Sequence, residues 1–199
     1  MEKKIITISR EFGSGGRTIG REVANRLGIP FYDKELVEKI ALESGFAPTF
    51  VEEHGEHSPG KTRLSYAFSH QGVPGVMNGL STADFLWSIQ CSVIMQLAEQ
   101  GPGVIVGRNA DYILKDRKDC LNVFIHANDE FRADRIVRLY GESEKSPQAR
   151  LIEKDKRRQV NYQHYTGQTW GAAQNYDLCL DSSRLGVDKC VEIILSLVK

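Results

Sequence analysis

The chain has 199 residues, 41% of them hydrophobic, and its 26 Lys+Arg balance 26 Asp+Glu for a formal net charge of zero. That length and apolar content fit one α/β domain with a sizeable core and exclude a disordered chain. The absence of a basic excess argues against nucleic acid as the partner.

No apolar run reaches the length of a membrane span, and Met1-Glu2-Lys3-Lys4 leads into a strand rather than a signal sequence. Cys91, Cys120, Cys179 and Cys190 lack CxxC spacing, so buried, reduced thiols in a cytoplasmic protein are expected, without disulfides or zinc.

Ile5 to Ile8 read as a β-branched strand. A glycine-rich turn follows, then a helix whose Ile19, Val23 and Leu27 share one face, with Gly28 ending it. Backbone N–H groups converging in such a turn, with a helix N-terminus behind them, form an anion site whose usual occupant is phosphate. Gly16-Arg17-Thr18 stands where a P-loop has Gly-Lys-Ser/Thr. Gly13, Ser14, Gly15, Gly16, Arg17 and Thr18 are therefore candidate phosphate ligands, and Thr18 can offer its hydroxyl to Mg²⁺. Two positions depart from the motif: Glu11 replaces its first Gly, and Arg17 its Lys. A forked guanidinium need not reach the β- and γ-phosphates as an ammonium does. The alternative is a strand-to-helix turn that binds nothing.

Pro30 to Asp33 reads as a short strand with Asp33 at its carboxyl end, the edge where ligands bind in parallel sheets. Lys34 to Ser44 is a helix with Leu36, Val37, Ile40 and Ala41 as its apolar stripe. Gly45 to Gly79 carries His54, His57 and His70 and is rich in Pro and Gly. It reads as an inserted flap, with a short helix around Phe50 to Glu53. His54 and His57 have no third ligand nearby, so solvated loop histidines are favoured over a metal pair.

Ser81-Thr82-Ala83-Asp84 opens a helix with Leu86, Ile89, Val93, Ile94 and Leu97 at helical spacing, on which Trp87 and Met95 are expected to pack. Gly101-Pro102-Gly103 stops it. Val104 to Val106 and Leu121 to His126 are strands, and Gly107-Arg108-Asn109 leaves the end of the first. Glu130 to Leu139 is a helix bearing Arg132, Arg135 and Arg138. From Ser146 to Tyr162 the chain is strongly basic, and Asp155 and Arg158, three apart, can share a face. Tyr176 to Leu180 is the last strand, and Val187, Cys190, Val191, Ile194 and Leu197 mark the closing helix. Five strands alternating with helices predict a parallel sheet with helices on both faces. Phosphoryl transfer, whose transition state spreads negative charge over equatorial oxygens, needs this kind of gathering of a phosphate loop and arginines.

Ser9-Arg10-Glu11-Phe12-Gly13-Ser14-Gly15-Gly16-Arg17, Phe31-Tyr32-Asp33-Lys34 and Gly107-Arg108-Asn109-Ala110-Asp111-Tyr112-Ile113-Leu114 resemble, in this order, blocks of the cytidylate-kinase-like family, related to bacterial cytidylate kinases. Tyr165-Thr166-Gly167, Trp170-Gly171 and Asn175-Tyr176-Asp177-Leu178-Cys179 continue the series. The resemblance runs nearly the whole length and is weakest across Glu52 to Leu80.

It implies a P-loop nucleoside monophosphate kinase fold in one domain, 1–199, with an acceptor-binding flap at about 45–80 and a lid region at about 140–171. It also implies ATP- and Mg²⁺-dependent phosphorylation of CMP or a related small-molecule nucleotide. Gly13 to Thr18 would cradle the ATP phosphates, and Arg17, Arg135 and Arg158 would serve catalysis. Arg138 is similar in placement to a lid arginine. Asp33, Arg108, Asp111, Asp155 and Arg158 would hold the acceptor. The family's Gly-Arg-Asp acceptor motif reads Gly107-Arg108-Asn109 here, and its Asp-Ser-Gly reads Asp33-Lys34-Glu35. A kinase of another small acceptor and a nucleotide-binding regulatory protein without turnover remain as alternatives, and the oligomeric state is open.

Overall fold

The computed structural model describes residues 4–55 and 80–198. Five strands form one parallel sheet in the order β2-β3-β1-β4-β5. They are β1 (Ile5–Arg10), β2 (Phe31–Tyr32), β3 (Gly103–Val106), β4 (Cys120–His126) and β5 (Leu178–Asp181). The helices between them are α1 (Gly16–Leu27), α2 (Lys34–Ser44), α3 (Pro48–His54), α4 (Thr82–Gln100), α5 (Ala110–Ile113), α6 (Asp129–Tyr140) and α7 (Pro147–Thr166). After β5 come α8 (Ser182–Leu185) and α9 (Val187–Val198), and a 3-10 turn spans Ala173–Asn175.

The pleat divides the strand side chains between two cores. Ile5 and Ile105 point to one face, where Leu36, Ile40, Val51, Leu86, Ile94 and Leu97 of α2, α3 and α4 cover them. Ile6, Ile8, Val104 and Val106 point to the other, against Ile19 and Val23 of α1 and Val191 and Ile194 of α9. Because both faces are covered, the strands are nearly continuous apolar runs, as expected of a parallel sheet. A third small cluster packs Phe12 against Ala133 and Ile136 of α6 and Leu151 of α7.

The sheet order also places the site. The connections from β1 to β2 and from β3 to β4 run in opposite directions along the sheet and lie on opposite faces, α1 in one core and α5 in the other, so the loops after these two neighbouring strands part. That divergence opens a crevice at their carboxyl ends, where ligands of such sheets bind.

The expected helix over Lys34 to Ser44 is present with those bounds, and α1 ends on Gly28 in the left-handed conformation. Three details differ from expectation. The last strand begins at Leu178 rather than Tyr176, because the Asp177 carboxylate itself accepts from the Asn122 N–H at 2.8 Å and displaces the ladder. Met95 is exposed rather than packed, while Trp87 stacks on Tyr165 with ring centroids 4.4 Å apart. The four cysteines are free as expected, but only Cys120 and Cys190 are fully buried. His57, His70 and most of the expected flap lie outside the described residues.

Replacing Ile194, fully buried between α9, α1 and the sheet, by Ala should lower unfolding stability by ~2–5 kcal/mol in denaturant titration. A loss under half a kcal/mol would contradict its place in this core.

Candidate active site

The turn after β1 is shaped by backbone contacts that leave no room for side chains. Gly13 has φ +83°, and a Cβ there would stand 2.8 Å from the Arg132 carbonyl oxygen. Gly15 has φ +86°, and a Cβ on Gly16 would come within 2.6 Å of the Arg10 Cβ. A left-handed φ and such close approaches are what glycine alone accommodates. Ser14, fully buried, shares its hydroxyl between the carbonyls of Glu11 and Ile125 at 2.9 and 3.0 Å. The Ser182 hydroxyl donates to the Ser14 carbonyl at 2.5 Å. The loop is therefore fastened to β4 and α8.

No side chain caps α1 at Gly15, and its first turn carries no acidic residue. The orphan N–H groups of that turn and the positive end of the helix dipole thus face a rim with no capping or acidic side chain of α1's own. Glu11, where a P-loop has glycine, turns toward β4 instead: its carboxylate accepts from the Ala127 N–H at 3.1 Å and lies 3.6 Å from Arg132.

Two guanidinium groups border this rim. Arg135 of α6 lies over Gly15, its Cζ 3.6 Å from where a Cβ would be, and donates to the Thr18 hydroxyl at 2.8 Å. Arg17 pairs with Asp33 at the start of α2. Burial pulls the Arg17 pKa down, but Asp33 and Tyr140 outweigh it and leave the value raised. Arg138 does not join them; it is exposed and paired with Asp134 at 2.6 Å.

Behind the loop, Asp155 of α7 collects donors from three elements. One oxygen accepts from the Phe12 N–H at 2.8 Å and from Arg158 at 3.3 Å, and the other accepts from Arg132 at 2.5 Å. Arg158 also reaches the Arg10 carbonyl at 3.3 Å. Beside this cluster α6 and α7 line an open cleft of about 240 Å³, walled by Glu11, Arg132, Asp155, Leu151, Lys156 and Trp170.

At the end of β3, Arg108 and Asn109 are both left-handed, with φ of 58° and 55°. Asn tolerates that region, whereas for Arg it is uncommon and strained, a state that clusters at functional sites. The Arg108 guanidinium donates to the Val51 carbonyl at 2.9 Å, and its own carbonyl accepts from Gln90 at 3.0 Å. Asn109 donates to Asn161 at 2.9 Å. A space of about 10 Å³, room for one water, lies between Ser9, Arg108, Asn109, Arg158, Asn161 and Trp170.

Asp111, expected among the acceptor ligands, does not itself line this space but is bonded to Ser9, which does. It is 2% exposed and accepts from the Ser9 hydroxyl at 2.9 Å and the Tyr162 hydroxyl at 2.7 Å. Burial pushes its pKa up, against the two hydroxyls that pull it down. The same burial, with the Asp111 charge nearby, pushes the Tyr162 hydroxyl upward.

The structure thus brings together Gly13 to Thr18, Arg135, Asp155 and Arg158, and sets Arg17 with Asp33 on the neighbouring rim. Glu11, Arg132, Ser182, Asn161 and Tyr162 escaped the sequence reading as site residues. Two had a signal: Arg132 by its place one turn before Arg135, and Glu11 by standing where the motif has its first glycine.

The profile of the cytidylate kinase-like family matches residues 5–184. The chain belongs to that family. Among curated proteins, this family member is 28% identical over 196 residues to a cytidylate kinase of Pyrobaculum aerophilum, covering 96% of this chain and 90% of the other. Among solved structures it is similar to one described as an uncharacterized protein from Eubacterium ventriosum, with 25% identity and a TM-score of 0.71 over 98% of this chain and 97% of that one. A shikimate kinase from Acinetobacter baumannii solved with shikimate superposes with a TM-score of 0.56 at 17% identity, over 98% and 92% of the two chains. At that identity the likeness shows the fold alone, that of the P-loop kinases.

A pH dependence follows from Asp111. Its folded pKa stands above its ordinary value of 3.8, so folding favours the protonated form. The stability this contributes is present in acid and is lost as pH rises from that value through the folded pKa. Asp111→Asn removes the titration, so wild-type stability minus variant stability should fall as pH rises above the ordinary value of 3.8 in denaturant titrations. A difference constant with pH would contradict the assignment.

Proposed function

We propose that this protein is an ATP-dependent phosphotransferase that phosphorylates a nucleoside monophosphate, CMP or a related pyrimidine nucleotide. The observation that carries the proposal is the uncapped α1 N-terminus behind a glycine turn closed to side chains, with Arg135 across its mouth. Such a turn presents backbone N–H groups to phosphate oxygens without a competing acceptor.

In this reading Gly13, Ser14, Gly15, Gly16, Arg17 and Thr18 bind the phosphates of ATP. Arg135 exchanges the Thr18 hydroxyl for the transferring group, placing positive charge where the transition state gains negative charge. Arg17 reaches phosphate by leaving Asp33, and Arg158, held behind the loop by Asp155 and the Arg10 carbonyl, adds its charge from that side. Asp33, Arg108 and the stretch at about 45–80 are assigned to binding the acceptor, and the region at about 140–171 to excluding water.

Among the described residues no three His, Cys, Asp or Glu side chains gather to hold a metal by themselves. The Thr18 hydroxyl suits Mg²⁺, which keeps waters and takes few protein ligands beside substrate phosphates. When bound, Mg²⁺ would neutralise charge developing on the ATP phosphates.

Cytidylate kinase as the name of a relative supports a nucleotide acceptor. Asn109 and the Asp33-Lys34-Glu35 stretch are the reasons to test CMP against dCMP, UMP, AMP and small alcohols. A cytoplasmic place is supported by four cysteines that form no disulfide. The zero net charge favours a small-molecule partner over nucleic acid.

ADP release should require ATP, Mg²⁺ and one acceptor from that panel together. Arg17→Ala should raise the barrier by ~2–4 kcal/mol, the scale of losing one charge-stabilising donor. ATP binding without turnover on any acceptor would instead mark a nucleotide-binding regulatory protein.

A further inference from the structure

We infer that Asp155 and Arg132 are positioning residues that clamp Phe12 and so fix the phosphate loop to α6, rather than ligands of the acceptor. The inference rests on the kinase reading above and assigns these two side chains to the ATP half of that site.

The clamp grips both sides of one residue. The Phe12 N–H donates to Asp155 at 2.8 Å, and the Phe12 carbonyl accepts from Arg132 at 3.4 Å. Arg132 and Asp155 close the ring by pairing with each other at 2.5 Å. Both residues are only 7% exposed. A carboxylate has about four acceptor positions. Three donors already fill most of those on Asp155: the Phe12 N–H, Arg132 and Arg158. An acceptor nucleotide has little left to bind there.

Arg132 is held in turn by Asp129 at 2.7 Å and faces Glu11 at 3.6 Å, so its charge is shared among three carboxylates. Gly13 then abuts the Arg132 backbone at a distance no side chain would allow. The loop and α6 therefore dock as one piece.

The consequence falls on Arg135. It lies three residues beyond Arg132 on the same helix, and its guanidinium sits over Gly15. Its aim at the loop is set by how α6 docks, and the docking is set by the clamp. Asp155→Asn keeps the shape but loses the charge and one acceptor, leaving Arg132 partly unpaired in a buried setting, which is costly. The loop and Arg135 then lose their mutual register, and small misplacements of this kind cost large factors in rate.

The test is steady-state kinetics on purified full-length protein with Mg²⁺·ATP and the best acceptor from the panel, together with equilibrium dialysis of Mg²⁺·ATP. For Asp155→Asn the KM for ATP should rise about 10-fold or more beyond any rise in the KM for acceptor. Arg132→Lys, which keeps the charge but not the fork, should show the same split. The double variant should lose little more than either single one, because the two side chains act as a unit. An acceptor KM that rises as much as or more than the ATP KM overturns the inference, as do independent, additive losses. Should Asp155→Asn fail to give folded protein by thermal melting, the split is read from Arg132→Lys alone. If wild-type protein does not bind Mg²⁺·ATP in dialysis, the kinase reading itself fails, which separates that outcome from failure of the clamp.

Discussion

The site depends on one steric constraint: between β1 and α1 the chain passes so close to Arg132 and Arg10 that Gly13 and Gly16 leave no room for a Cβ. Tightness of this kind is costly in conformational entropy and gives the core nothing in return. What it provides is a rim of main-chain N–H groups at the start of a twelve-residue helix, with the carboxylates of that neighbourhood directed elsewhere. Glu11 is committed to Ala127 and Arg132, Asp33 to Arg17, and Asp155 to Phe12. An anion arriving there meets positive partial charge and few competing oxygens.

The arginines around the rim are held before any ligand arrives. Arg135 rests on the Thr18 hydroxyl and Arg17 on Asp33, so each has a modest partner to give up rather than a long search through solvent. Preorganised charge of this sort costs little to arrange at the moment of reaction. The strained pair Arg108 and Asn109 extends the same logic to the next strand end, where backbone conformations unfavourable to side chains persist against the buried Asp111, Ser9 and Tyr162 network.

Local pattern carried the fold. The apolar stripe of Lys34 to Ser44, the Gly28 stop and the β-branched run at Ile5 each depend on neighbours within a turn or two, and each reappears as read. The glycine turn was legible for the same reason. What could not be read were partners distant in sequence. Asp155 and Arg132 are 23 positions apart and Asp111 and Tyr162 are 51 apart, and only the crossing of α7 over the sheet edge decides those pairings. Arg17 shows the limit most clearly. Its place beside Thr18 points to phosphate, whereas in the folded chain Asp33 lies close enough to hold it. The short α5 was missed because it starts from Asn109 in a left-handed conformation that an Arg-Asn pair does not advertise.

The most direct test of the central claim is a titration of ¹⁵N-labelled protein with Mg²⁺·ATP, followed through the backbone amide resonances. The account predicts the largest shifts at Gly13 to Thr18, with the Arg135 side-chain N–H moving in step as it leaves Thr18. Saturable binding that leaves those amides unmoved, with shifts gathered instead around the α6–α7 cleft, would contradict it.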